Sequence, residues 1–338
     1  MPELEKYLYI ANAWKSMVTD TARRSFEVGG WQVDGNWLNG KDLSPLHKVI
    51  LAAPAYFDAA ILVNPKDHPM SKVFSYLIYP DEMVGWNFER NIYRWEKQEA
   101  FVPLLENAHV LSESDFVLNL VSSVYGDQLN QRRDTTFLPI EFNRIYTEKT
   151  KAVVDSNKPL RVLWNHMWRG DKGFSEALSL IEELSGRYSS VEFWVARNNL
   201  WGNDPNIGKL KERTSSLLAQ LRARGNVFFQ ENFGFNQASE YWQFLTGFDI
   251  GFSVSHHEGF GLGMLEQAAA GIACVMPPRQ SYPEIHNGGL ITDNVEEGIA
   301  SLIESPKQLK ITSQKSQENA SRFNAEDWAK NILEIIKQ

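Results

Sequence analysis

Short apolar runs rich in β-branched and aromatic residues alternate along the chain with longer stretches whose apolar positions recur every three to four residues. This is the pattern of βα units built on parallel sheets. In the first half, Tyr7–Asn12, Trp31–Asp34, Ala60–Asn64, Phe74–Tyr79, His109–Ser112 and Thr136–Ile140 read as strands, with helical stretches at 16–28, 89–106 and 114–125. The second half is more regular: RVLWN (161–165), VEFWVA (191–196), VFFQ (227–230), DIGFSVS (249–255) and ACVMP (273–277) each border a helical stretch. Between the halves, 141–159 is polar, charged and closed by Pro159, the composition of an interdomain connection. The last segment places Trp328, Ile332, Ile335 and Ile336 on one helical face, with Asn324 suited to the N-cap. The fold class predicted is α/β, with two Rossmann-like doubly wound domains at 1–150 and 155–321. Their strand ends face a cleft, where ligands of such sheets bind.

A length of 338 residues accords with two domains. The net charge of −8 comes without a basic arm, so any phosphate binding must be local, and the charge weighs against a nucleic-acid partner. A single cysteine, Cys274, rules out an intramolecular disulfide framework and suits a reducing, cytoplasmic compartment. Charges interrupt the apolar residues of the N-terminus, so neither a signal peptide nor a membrane span is expected, and peripheral membrane contact stays open. The chain is rich in aromatic residues, with 11 Trp, 11 Tyr and 19 Phe. Most suit core packing, and Trp14 and Trp86 are candidates to stack on a bound ligand.

The most informative stretch is SHHEGFGLGMLEQAAAG (255–271), a strand end, a glycine-broken turn and a helix. Gly259 and Gly261 permit close backbone approach, and the N–H groups from Phe260 to Gly263 at a helix N-terminus suit a diphosphate. Glu258 borders that anion site and Glu266 follows one turn into the helix, where carboxylates can accept from sugar or ribose hydroxyls.

This string resembles the Glu-x7-Glu motif of retaining glycosyltransferases of the GT-B fold, family 4, as does the following ACVMP with Tyr282, Pro283, Glu284 and Ile285. RVLWNHMWRGDKGFSEAL (161–178) resembles the turn that opens that family's donor domain, where an Arg and a Lys hold the donor diphosphate. Lys172 matches the Lys. The usual spacing puts the Arg near His166, and Arg169 is the nearest substitute. More loosely, 105–121 and 135–143 resemble the end of the family's N-terminal domain. The family's glycine-rich first turn is replaced by NAWKSM (12–17), and its N-domain histidine by Tyr79, Pro80, Asp81 and Glu82, leaving Asp81 as the candidate sugar contact and His68 as its rival.

The resemblance implies transfer of a sugar, with retention, from a nucleotide diphosphate donor of GDP or UDP type to a glycan or small-molecule hydroxyl. Lys172, Arg169, Glu258 and Asp81 would be catalytic. Gly259, Phe260, Gly261, Leu262 and Glu266 would bind the donor with them, and the helix at 322–338 would pack back on the first domain. No metal and no resident cofactor are expected, because no Asp-x-Asp triplet occurs. Phosphate-loop, nucleophile-elbow and first-strand dinucleotide motifs are likewise absent. Two alternatives stand beside this reading. WNHMW (164–168) also resembles the turn of mannosyltransferases that modify queuosine in tRNA, and a catalytically silent GT-B binding subunit would share the fold.

Overall fold

The computed structural model describes residues 7–11, 32–34, 49–52, 72–77, 109–125, 133–135, 137, 139–151, 158–196, 207–230, 238–256 and 258–337. The chain forms two units, Met1–Ile140 with Phe323–Gln338, and Glu141–Arg322. Each described sheet is wholly parallel, and strands buried on both faces need the near-continuous apolar runs seen in the sequence.

In the first unit the strands are β1 (Tyr7–Ala11), β2 (Gln32–Asp34), β3 (Val49–Ala52), β4 (Lys72–Leu77), β5 (His109–Ser112) and β6 (Arg133–Thr135), in the order β2-β1-β3-β4-β5-β6. The strand β3 was not expected, since VILA is short and runs straight into Ala53-Pro54. The strand expected at 60–64, the helices at 16–28 and 89–106, and the turn at 12–17 lie outside the described residues. Helix α1 (Asp115–Tyr125) starts where Ser114 Oγ accepts the N–H of Val117 at 3.2 Å.

A strand was expected at 136–140. Instead β6 ends at Thr135, and Ile140 makes an isolated parallel bridge with Asn324. Ile140 N–H donates to Phe323 at 2.8 Å, and Ala325 N–H donates to the Ile140 carbonyl at 3.0 Å. The chain therefore leaves the first unit and re-enters it at adjacent points.

The polar segment after Ile140 is not an open connection. Phe142–Lys151 forms helix α2, which belongs to the second unit. Its apolar stripe is only Phe142 and the buried Ile145, too narrow to stand out against the charges around it. Burial lowers the pKa of its Lys149, and the charge of Asp249 opposes that shift.

The second unit contains β7 (Arg161–Asn165), α3 (Phe174–Arg187), β8 (Glu192–Ala196), α4 (Ile207–Arg222), β9 (Val227–Gln230), α5 (Ala238–Leu245), β10 (Ile250–Phe252), α6 (Leu262–Ala269), β11 (Ala273–Met276), α7 (Tyr282–Ile285), β12 (Leu290–Ile291), α8 (Val295–Glu304) and α9 (Pro306–Ser321). Its strand order, β12-β11-β10-β7-β8-β9, reverses between β7 and β10. A reversal of this kind opens a crevice outside the carboxyl ends of the two strands.

Aromatic side chains fill the layer behind that crevice. Trp168 stacks on Phe174 with centroids 4.7 Å apart, and Trp164 meets the same ring at 5.6 Å. Trp194 stacks on Phe228 at 4.8 Å and lies under the Arg161 guanidinium. Trp164, Trp168, Trp242 and Trp328 are buried, so these four are packing residues; Trp14 and Trp86 lie outside the described residues. Helix α10 (Ala325–Lys337) places the buried Trp328 in the first unit. Among the described residues no helix is long and apolar enough to cross a membrane.

Cys274, in the middle of β11, is 1% exposed, and burial pushes its thiol pKa far up. As the chain's single cysteine it should be inert to an aromatic disulfide reagent in the native state and react once per chain in denaturant. A thiol titration with and without urea measures this, and rapid native labelling would contradict the burial.

Candidate functional site

Two turns meet at the reversal between β7 and β10. The first, 166–173, ends in Gly173, which has φ +70° and precedes α3. A Cβ there would lie 2.5 Å from the Val254 carbonyl oxygen, so only glycine lets the turn rest on the end of β10. The Asp171 carbonyl then accepts from His256 N–H at 2.8 Å and from Ser255 Oγ at 3.2 Å. The second turn, ending in Gly261 before α6, repeats the device. Gly261 has φ +81°, and a Cβ would lie 2.6 Å from His286 Nε2.

This approach brings two predicted residues together. Lys172 Nζ lies 3.2 Å from Glu258 Oε2, with side-chain exposures of 12% and 17%. The pair is largely shielded, so its attraction is stronger than in water. Arg169 stands three residues before Lys172, and its Nε donates to the buried Asp171 carboxylate at 2.8 Å. Asp171 thus holds Arg169 with its side chain and the other turn with its carbonyl.

Glu266 sits in the second turn of α6. Tyr241 Oη donates to its Oε2 at 3.1 Å, and Asn165 Nδ2 donates to Tyr241 Oη at 2.9 Å. Burial raises the Glu266 pKa to about 7, and the tyrosine hydrogen bond works in the opposite direction. A carboxylate held near neutrality can change protonation when hydroxyl donors approach it.

Two histidines are kept neutral. Burial, reinforced by the Lys172 charge, lowers the His166 pKa to about 3, and its Nε2 finds no hydrogen-bond partner among the described residues. Burial lowers that of His286 to about 4, although its bond to Phe260 and the Glu258 charge oppose the shift. His286 Nε2 lies 2.8 Å from the Phe260 carbonyl, which can only accept, so that nitrogen carries the proton.

Of the predicted residues, Phe260 is buried beneath the turn, Gly261 caps α6 and Leu262 opens it. Met264 N–H, at 2.9 Å from the Gly261 carbonyl, belongs to the first turn of the helix, with its dipole directed at the loop after β10. Gly259 lies between Glu258 and Phe260 in that loop. Asp81 and His68 lie outside the described residues. Sequence reasoning missed Tyr241, Asn165, Gln280 and Asp171. Asn165 alone carried a signal, as the polar last residue of an apolar strand.

No protein-family profile matches the chain. Over 223 residues it is 22% identical to the tRNA-queuosine alpha-mannosyltransferase of Drosophila melanogaster, a match covering 63% of this chain and 56% of that protein. The match therefore spans little more than half the length of this relative. Among solved structures, Anabaena Alr3699/HepE in complex with UDP and glucose superposes with a TM-score of 0.69, at 15% identity, over 98% of this chain and 99% of its own. A UDP-forming alpha,alpha-trehalose-phosphate synthase from Burkholderia vietnamiensis gives 0.68 at 9% identity, over 95% and 79%. The fold is GT-B. At these identities the structural likeness speaks for architecture alone.

Two predictions follow from the geometry. Gly173→Ala should cost about 2 kcal/mol or more, since a left-handed side chain meets backbone there, and a urea midpoint comparison measures it. For Glu266 the folded-state pKa lies above the ordinary carboxylate value of 4.5, so the folded state holds the extra proton between the two. Stability should therefore fall as pH rises from about 4.5 to about 7, and Glu266→Gln should flatten that segment in urea titrations taken at a series of pH values.

Proposed function

We propose that the chain is a glycosyltransferase that binds a nucleotide diphosphate sugar, of UDP or GDP type, at the carboxyl ends of β7 and β10. Lys172 and Arg169 offset charge on the diphosphate, and Gly259, Phe260, Gly261 and Leu262 cradle it at the start of α6. Glu258 orients the sugar, and Glu266 accepts from the ribose hydroxyls. The observation that carries the reading is the pairing of Lys172 with Glu258 at the strand-order reversal, beside the glycine-capped N-terminus of α6. The unmet Nε2 of His166, beside Lys172, also supports a ligand there, since buried polar atoms ordinarily find partners.

Transfer proceeds with retention. Double displacement would place a nucleophilic carboxylate against the anomeric carbon. In the mechanism proposed here the acceptor oxygen instead bonds to that carbon from the face the diphosphate leaves. The bond from carbon to phosphate oxygen breaks, and the acceptor's proton passes to the departing phosphate oxygen. Fixed cations suffice for such a step, so the proposal includes neither a metal nor a resident cofactor. Asp81, or His68 in its place, is proposed as the sugar contact of the first unit.

The acceptor is a glycan or small-molecule hydroxyl. The relative's name favours a second reading, a modified nucleoside in tRNA, against which the net charge of −8 weighs. A silent binding subunit would have little use for Lys172, Glu258 and Glu266 together.

Thermal unfolding with UDP-, GDP- and ADP-sugars tests the donor site. The correct donor at 100 times its dissociation constant should stabilise the fold by about 2.7 kcal/mol. Lys172→Ala and Glu258→Gln should each lose most of that shift, and slow donor hydrolysis should follow the same order. A wild type that no nucleotide sugar stabilises, or variants indistinguishable from it, would overturn the assignment.

A further inference from the structure

The loop carrying Glu258 leaves β10, whose sheet neighbours are β7 on one side and β11 on the other. It is gripped from both. On the β7 side the grip is a backbone carbonyl, that of Asp171, which takes His256 N–H and Ser255 Oγ. On the β11 side the grip is made by side chains. The Gln280 carboxamide accepts from Glu258 N–H through Oε1 and donates from Nε2 to the His256 carbonyl at 2.7 Å. Ser281 Oγ adds a bond to the Glu258 carbonyl at 3.1 Å. Gln280 therefore pairs with the loop as a strand's peptide group would, using both ends of its amide.

The backbone of Gln280 emphasises the arrangement. Among the described residues it is the one non-glycine with positive φ, at +52°. Left-handed backbone is costly for a residue that carries a Cβ, and such conformations persist where surrounding contacts hold them. Here those contacts are the bonds to His256 and Glu258.

We infer that Gln280 is a positioning residue for Glu258: its amide fixes the His256 carbonyl and the Glu258 N–H, and so aims the Glu258 carboxylate at the donor's sugar. This rests on the proposed donor site, in which Glu258 reads the sugar while Lys172 and α6 hold the diphosphate. Loosening the loop should then harm recognition of the sugar and spare that of the nucleotide. Glutamine is suited to the task because a carboxylate could accept from Glu258 N–H but would face the His256 carbonyl with like charge.

The test compares the full-length wild type with Gln280→Met, Gln280→Ala and Gln280→Gly, using the nucleotide sugar selected by the thermal screen and its matching nucleoside diphosphate. All three variants remove the amide. Glycine alone relieves the left-handed backbone, so Gln280→Gly should unfold at a higher temperature than Gln280→Ala. In all three, kcat should fall by roughly ten-fold or more, as expected when a catalytic group is misplaced by a fraction of an ångström, while affinity for the nucleoside diphosphate stays within about two-fold. Amide exchange should quicken in 255–260 beyond any global change. A merely structural role would make activity follow the unfolding temperature, so a Gln280→Gly variant more active than Gln280→Ala in proportion to its stability overturns the inference. Unchanged exchange in 255–260, or unchanged kcat in Gln280→Met, does so as well. A wild type that binds no nucleotide sugar overturns the donor site itself, and the inference with it; a wild type that binds beside variants that behave like it counts against Gln280 alone.

Discussion

The candidate site depends on how closely two backbones approach at the reversal between β7 and β10. Gly173 rests against Val254 with no room for a Cβ, and the rest follows from that contact. It lets the Asp171 carbonyl reach His256, and it brings Lys172 within 3.2 Å of Glu258. A shielded ion pair of this kind adds little net stability, because desolvation offsets much of the attraction. Its value lies in placement: two opposite charges are held at the mouth of a helix, each with part of its surface open.

Around that contact the chain separates charge from neutrality by burial. His166 and His286 are deep enough to stay unprotonated, so neither adds a positive charge beside Lys172 and Arg169. Glu266 behaves oppositely, being poised near neutrality with Tyr241 and Asn165 behind it. In a chain of net charge −8 the cations of the site are thus balanced by carboxylates beside them, Lys172 by Glu258 and Arg169 by Asp171.

The second sheet was legible in the sequence almost strand by strand, because parallel strands covered on both faces leave uninterrupted apolar runs, as in RVLWN and ACVM. Gly261 was expected from the glycine-broken turn before a helix, and Lys172, Glu258 and Glu266 were named as candidates from the strings that carry the family resemblance. What escaped notice did so for physical reasons. The apolar stripe of α2 is two residues wide, β12 has only two residues, and Gln280 and Tyr241 act through contacts with residues far away in the chain. Nothing local in PPRQSY distinguishes a glutamine that grips a loop from one that faces water.

The paired hydrogen bonds between Ile140 and the stretch around Phe323 to Ala325 bear on how the molecule is made. The second unit is one unbroken run of chain, whereas the first is assembled from both ends of the sequence. During synthesis the second unit can close its core while the first still waits for α10 and the burial of Trp328. The described strands of the first unit all precede residue 136, so its sheet can form early, and only its closing helix comes after the second unit has been made.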